Sequence, residues 1–187
     1  MRKSKMHSVF ALTFALLLPG TLMASTTSDQ TESRKEAIQL TQDIESTGRA
    51  IQKEADQLAA LRRIHGMSNQ SHQYSLNRIA SHINEQLQPA MSRLVEIQPD
   101  LPQWHQHAID QMHTSAATLA ASANAAILNR NPSDSRMAAA VDGEYSQLLE
   151  NINGRATALV QIADAAGDYG DAQLKGHRAG LAIATHE

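Results

Sequence analysis

Cysteine is absent from the 187 residues. That excludes disulfides, thiolate metal sites, cysteine nucleophiles and the Cys-x-x-Cys-His attachment of c-type haem. Aromatic residues are scarce, with one Trp, three Tyr and two Phe. Phe10 and Phe14 both lie in the first 24 residues, so the rest of the chain must build its core from Ala, Leu, Ile and Val. Ala-rich faces suit helices packed closely side by side. A basic excess is missing too, because 16 Lys and Arg stand against 19 Asp and Glu. Such a surface offers nucleic acid neither a basic patch nor a stacking platform, and none is expected as a partner.

What is present begins at the N-terminus. Arg2, Lys3 and Lys5 precede the apolar run Val9-Phe10-Ala11-Leu12-Thr13-Phe14-Ala15-Leu16-Leu17-Leu18. Pro19-Gly20 breaks that run, and Leu22-Met23-Ala24 leads into polar sequence. A basic head, a short hydrophobic middle and a small residue at the cut are the layout of a secretory signal peptide. The run is roughly half the ~20 apolar residues that span a bilayer, so it predicts cleavage near Ala24 and no stable membrane anchor afterwards. Removing residues 1–24 leaves 13 Lys and Arg against 19 Asp and Glu, a formal charge of −6. The expected location is the bacterial periplasm or the medium. A cysteine-free exported chain holds itself together by packing alone.

Four amphipathic stretches follow. The first runs from Ser33 to Ile64 with Ala37, Leu40, Ile44, Thr47, Ile51, Ala55, Leu58 and Leu61 at three- and four-residue steps. Gly66 is placed to stop it. The second runs from Ser71 through Leu76, Ile79, Ile83, Leu87, Ala90 or Met91, Leu94 and Ile97, with Pro89 inside it. The apolar period resumes in phase after Pro89, which predicts a kink rather than a break. Asp100 and Gln103 have the spacing of a capping box, with Pro102 expected in the first helical turn. The third stretch carries Trp104, Ala108 or Ile109, Met112, Ala116, Leu119, Ala123 and Ile127. Asn129 to Asp134 reads as a turn. The fourth has Met137, Val141, Tyr145, Leu148, Ile152, Ala156, Leu159, Ile162 or Ala163, and Ala166, and is expected to end at Gly167-Asp168-Tyr169-Gly170.

These stretches predict an all-α fold, an up-down-up-down antiparallel four-helix bundle. The expected organisation is a signal peptide over 1–24, the bundle over 25–170, and a frayed or loosely docked tail over 171–187. The core is predicted to contain Ile44, Ile51, Leu58, Leu76, Ile83, Leu119, Leu148, Ile152 and Leu159.

Chemistry is harder to find. Eight histidines follow the leader: His65, His72, His82, His105, His107, His113, His177 and His186. No Glu-x-x-His or His-Glu-x-x-His motif is present. His105 and His107 are two apart on a helix and point to different faces. Antiparallel pairing of the second and third stretches sets Gln86 near His113 and puts His82 about one turn away, an axial gap of ~6 Å. His82 and His113 are therefore the residues a metal would use, if one is bound, with the His65/His72 end as the other location, and solvated or half-buried histidines are the favoured reading. Asp43 with Glu45, and Glu54 with Asp56, read as solvated faces. No Gly-x-Ser-x-Gly elbow or strand to mount one is visible.

The outline, an exported four-helix bundle of this size, resembles that of the cytochromes c-prime and b562. That resemblance implies a haem, but the motifs depart from it. There is no Cys-x-x-Cys-His, no Met in the first helix before Gly66, and no His in the fourth stretch. The reading of the sequence is an exported, non-enzymatic bundle acting through its surface on an unknown protein or small ligand, with no cofactor. A metal- or haem-carrying bundle is the alternative.

Overall fold

The computed structural model of the chain describes residues 23–62, 69–128 and 138–184. The predicted leader, apart from Met23 and Ala24, lies outside them, as do the turns at Gly66 and at Asn129 to Asp134. Helix α1 spans Met23–Arg62, α2 Asn69–Ser81, α3 Gln88–Ile97, α4 Gln103–Leu128 and α5 Ala138–Ala184. A π-helical turn, His82–Leu87, joins α2 to α3 without a break, because Ser81, Leu87 and Gln88 all keep right-handed helical dihedrals. The fold is all-α, with four helical legs packed on one another: α1, the rod of α2 and α3, α4, and α5.

The seam between α1 and α5 is built from seven-residue columns. On α1, Ala37, Ile44, Ile51 and Leu58 are buried, and beside them Thr41, Gly48 and Ala55 form a second column of small residues. On α5, Tyr145, Ile152, Leu159 and Ala166 form one column, and Leu149, Ala156, Ala163 and Gly170 the other. Small residues on both helices let the backbones approach. A Cβ added to Gly48 would stand 2.7 Å from Cγ2 of Val160, and one added to Gly170 would stand 3.0 Å from Cγ1 of Ile38. The seam is flanked by Gln52 donating to Thr157 Oγ1 at 2.7 Å and Asn153 donating to Asp56 at 2.9 Å.

Of the predicted core, only Leu148 is half-buried, and its neighbour Leu149 takes the inner position. Each fully buried Leu or Ile contributes about 1.5–3 kcal/mol relative to an exposed one. Helix α5 does not stop at Gly167 to Gly170. It continues to Ala184, and Gly170 serves as a close-approach residue rather than a terminator. Whether the tail beyond Lys175 docks lies outside the described side chains. Glu54 is the other correction. It is 3% exposed and faces Arg78 of α2 at 3.2 Å, whereas Asp56 is on the surface as expected.

Pro89 leaves the rod unbroken, and the π turn directly before it explains how. Gln88 N–H reaches back to the carbonyl of Ile83, one residue further than in an α-helix. The buried positions Ile79, Ile83, Leu87 and Met91 are four apart. At 100° per residue, three such steps would swing the stripe by about 120°. Inserting one residue into a wide turn cancels most of that drift and opens the ladder where the proline offers no N–H. Arg93 then ties the rod to α1 through a forked pair with Glu36 at 2.6 and 3.0 Å. That pairing holds the Glu36 carboxyl below its usual range.

The turn into α4 differs from the expected capping box. Residues Gln98–Asp100 form a 3₁₀ turn, and the Pro102 carbonyl accepts from the N–H groups of His105 and Gln106, so Pro102 caps the helix from outside. Side chains finish the turn: Gln106 donates to the Leu101 carbonyl at 2.9 Å, and Gln98 donates to Asp110 at 2.9 Å.

Candidate functional site

The first turn of α4 places Trp104 and His105 beside α1 and α5. His105 occupies a core column with Met112, Leu119 and Ala126, each seven residues on. It is 1% exposed, and neither ring nitrogen has a hydrogen-bond partner among the described residues. Burial, with the positive charge of Arg34 second, pushes its imidazole down to about 4. The ring is therefore neutral at pH 7, with one N–H to give and one lone pair to fill. Leaving such groups dry costs about 1–3 kcal/mol apiece.

Among the described residues, the aromatic rings gather most closely around His105. The Trp104 ring stacks on His105 at 3.8 Å between centroids, and Tyr169 of α5 meets Trp104 edge-on at 4.4 Å. Tyr169 is itself half open to solvent, and its hydroxyl accepts from Gln173. These rings, with Ile38, Arg34 and Pro102, line a cavity of about 280 Å³. The Nε of Arg34 is buried there without a partner among the described residues. Gly170 makes the cavity wall tight, since a Cβ on it would come within 3.7 Å of the His105 ring.

The sequence-predicted pair stands elsewhere. His82 begins the π turn, half-buried, with Nδ1 paired to Gln86 at 3.1 Å. His113 is exposed and lines a separate groove of about 510 Å³ with Ile83, Leu87, Met91, Val95 and Ala117. Gln88 and Ser92 share that groove, while Gln86, expected beside His113, is engaged with His82. Among the described residues no group of three or more His, Asp or Glu could hold a metal ion. His107 is exposed and meets Gln111 at 3.0 Å. His65, His186 and the side chains of His72 and His177 lie outside the described set.

Sequence reasoning missed His105 because it gave the stripe to Trp104. The signal was available: His105 stands seven residues before Met112, in step with Leu119. Among the described residues no helix is long and apolar enough to cross a membrane. The fold and the cavity together define a helical bundle with a half-open aromatic pocket. The chain matches no family model, no curated protein and no solved structure.

Proposed function

We propose that this chain is an exported, non-enzymatic protein that acts by binding, folded as an up-down-up-down antiparallel four-helix bundle after a cleaved signal peptide. The observation that carries the binding reading is His105. A neutral imidazole sealed at the wall of a cavity with both nitrogens unpartnered is an unfavourable arrangement for packing alone, and one that a bound molecule relieves. The basic head and short apolar run over residues 2–18 support export to the periplasm or beyond. A fold of this kind builds its ligand sites between facing helices.

Two measurements test this reading. Intact mass of the protein released by osmotic shock should correspond to a chain starting close to Ser25, and retention of residues 1–24 in a membrane fraction overturns export. Trp104 is the chain's single tryptophan, so its fluorescence reports directly on the pocket. A small-molecule panel spanning acids, amines and neutral compounds should contain a class that changes that fluorescence saturably and raises the unfolding midpoint. A panel with no such class overturns the binding reading.

A further inference from the structure

The cavity carries more information than its existence. Four polar side chains line it: Arg34, with a buried Nε–H lacking a partner, and His105, with one N–H and one lone pair unfilled, beside Gln173 and Tyr169, which pair with each other. No carboxylate lines it among the described residues. Its remaining walls are flat or apolar, from Trp104, Tyr169, Ile38 and Pro102, and the Trp104 and Tyr169 rings stand at 72° to each other.

We propose that this cavity binds a small aromatic carboxylic acid, its carboxylate held by Arg34 and the His105 N–H and its ring set against Trp104 and Tyr169. The inference rests on the binding reading above and names the ligand class for it. Charge selects the acid. Arg34 has no carboxylate partner in the cavity to neutralise it, and its field already reaches His105, where it lowers the imidazole's proton affinity. A carboxylate is the group whose two oxygens accept from two such donors at once. A primary ammonium would face Arg34 with like charge, and a neutral apolar ring would leave both donors dry.

Shape selects the ring. Trp104 and Tyr169 already meet edge-on at 4.4 Å, and a flat body joins them at that corner in the stacked or edge-on geometries aromatic pairs prefer. Size limits it to one ring or two. The cavity's volume of about 280 Å³ falls just below the range of ligand pockets, about 300 to 1,000 Å³. The unfilled lone pair of His105 adds a preference for a ring carrying a hydroxyl or amino group that can donate to it.

The test titrates the protein with benzoate, 4-hydroxybenzoate, benzyl alcohol and benzylamine, following Trp104 fluorescence and the unfolding midpoint. Both acids should saturate, with 4-hydroxybenzoate the tighter, while benzyl alcohol binds at least tenfold more weakly and benzylamine gives no saturable change. Arg34→Gln keeps a polar, half-buried side chain and should weaken benzoate at least tenfold with little effect on the unliganded midpoint. Arg34→Lys should retain part of the affinity. If benzylamine or benzyl alcohol binds as tightly as benzoate, or Arg34→Gln leaves benzoate affinity unchanged, the acid assignment is wrong and the binding reading survives. If the wider panel also fails to engage the pocket, the binding reading itself falls.

Discussion

The seam between α1 and α5 and the groove between the α2–α3 rod and α4 use the same small residues to opposite effect. Gly48 and Gly170 close the seam until an added methyl would clash with Val160 at 2.7 Å or press on Ile38 at 3.0 Å. Ala116, Ala117 and Ala120 of α4 instead leave about 510 Å³ open beside Ile83, Leu87, Met91 and Val95. Small side chains close a contact only when the partner seats a side chain in the space they leave, as Val160 does at Gly48 and Ile38 at Gly170. The seam meets that condition, with a regular seven-residue repeat on both helices. The rod does not, because its π turn shifts the phase and Leu87, Met91 and Val95 line the groove without filling it.

The largest expected effect lies in the seam. Ile51 is fully buried in the α1 column, and Ile51→Ala should cost about 2–5 kcal/mol in denaturant unfolding. Val95→Ala, on the groove, should stay within about 0.5 kcal/mol. Equal losses at the two positions would erase the contrast.

Acid should act at the pocket end of the seam. The folded His105 titrates at about 4, below the ~6.5 of an unfolded imidazole. The unfolded chain therefore binds the proton first, and stability falls as pH drops from about 6.5 toward 4, then levels off for this group. Its share is up to about 3 kcal/mol. His105→Leu should flatten that part of the stability profile measured by denaturant unfolding between pH 7 and 4. An unchanged slope would mean that other groups govern the acid limb.

Much of the fold was legible, and the reasons differ by element. Hydrophobic period alone located α1, the rod and α4, and it placed eight of the nine predicted core residues, Ile44, Ile51, Leu58, Leu76, Ile83, Leu119, Ile152 and Leu159, inside. It failed where a residue type has two uses. Gly170 looked like a helix stop and is a packing residue. Glu54 looked like a solvated charge and is held inside beside Arg78. The pocket was illegible for the same reason, since His105 fills a core column that is otherwise apolar. The cavity depends on residues from 34 to 173 meeting at one end of the bundle, which no local pattern encodes. Pro89 was the partial case. Its in-phase flanks predicted continuity, and the four-residue steps from Ile79 to Met91 carried the unread sign of a wide turn.

Glycine substitution sharpens the comparison at a smaller scale. Gly48→Ala gains about 1 kcal/mol of helix propensity but drives a methyl to 2.7 Å from Val160, whose branched side chain has little room to rotate. Overpacking of that kind costs about 1–3 kcal/mol, so the net result should be destabilising. Gly154 lies on the same helix as Gly170 with nothing within 4 Å of its missing Cβ, and Gly154→Ala should stabilise by about 0.5–1 kcal/mol. Thermal unfolding of the pair should move in opposite directions. A shift of the same sign in both would show that the seam has slack.

The smallest effect belongs to the groove, and it decides what the groove is. Ala117 is exposed on α4 and lines the opening opposite Leu87 and Met91. If the space is open, Ala117→Leu lays its extra atoms over apolar surface without displacing a neighbour. Its stability should then stay within about 0.5 kcal/mol of the parent, because surface changes away from special features seldom exceed that. The same three carbons forced into the seam would meet a wall. Matching denaturation midpoints for Ala117→Leu and the parent, beside a lowered midpoint for Gly48→Ala, would confirm that one pair of helices is closed and the other is not. A loss of 1 kcal/mol or more, the lower end of the overpacking cost, would place the rod against α4 in solution and remove the contrast on which the comparison stands.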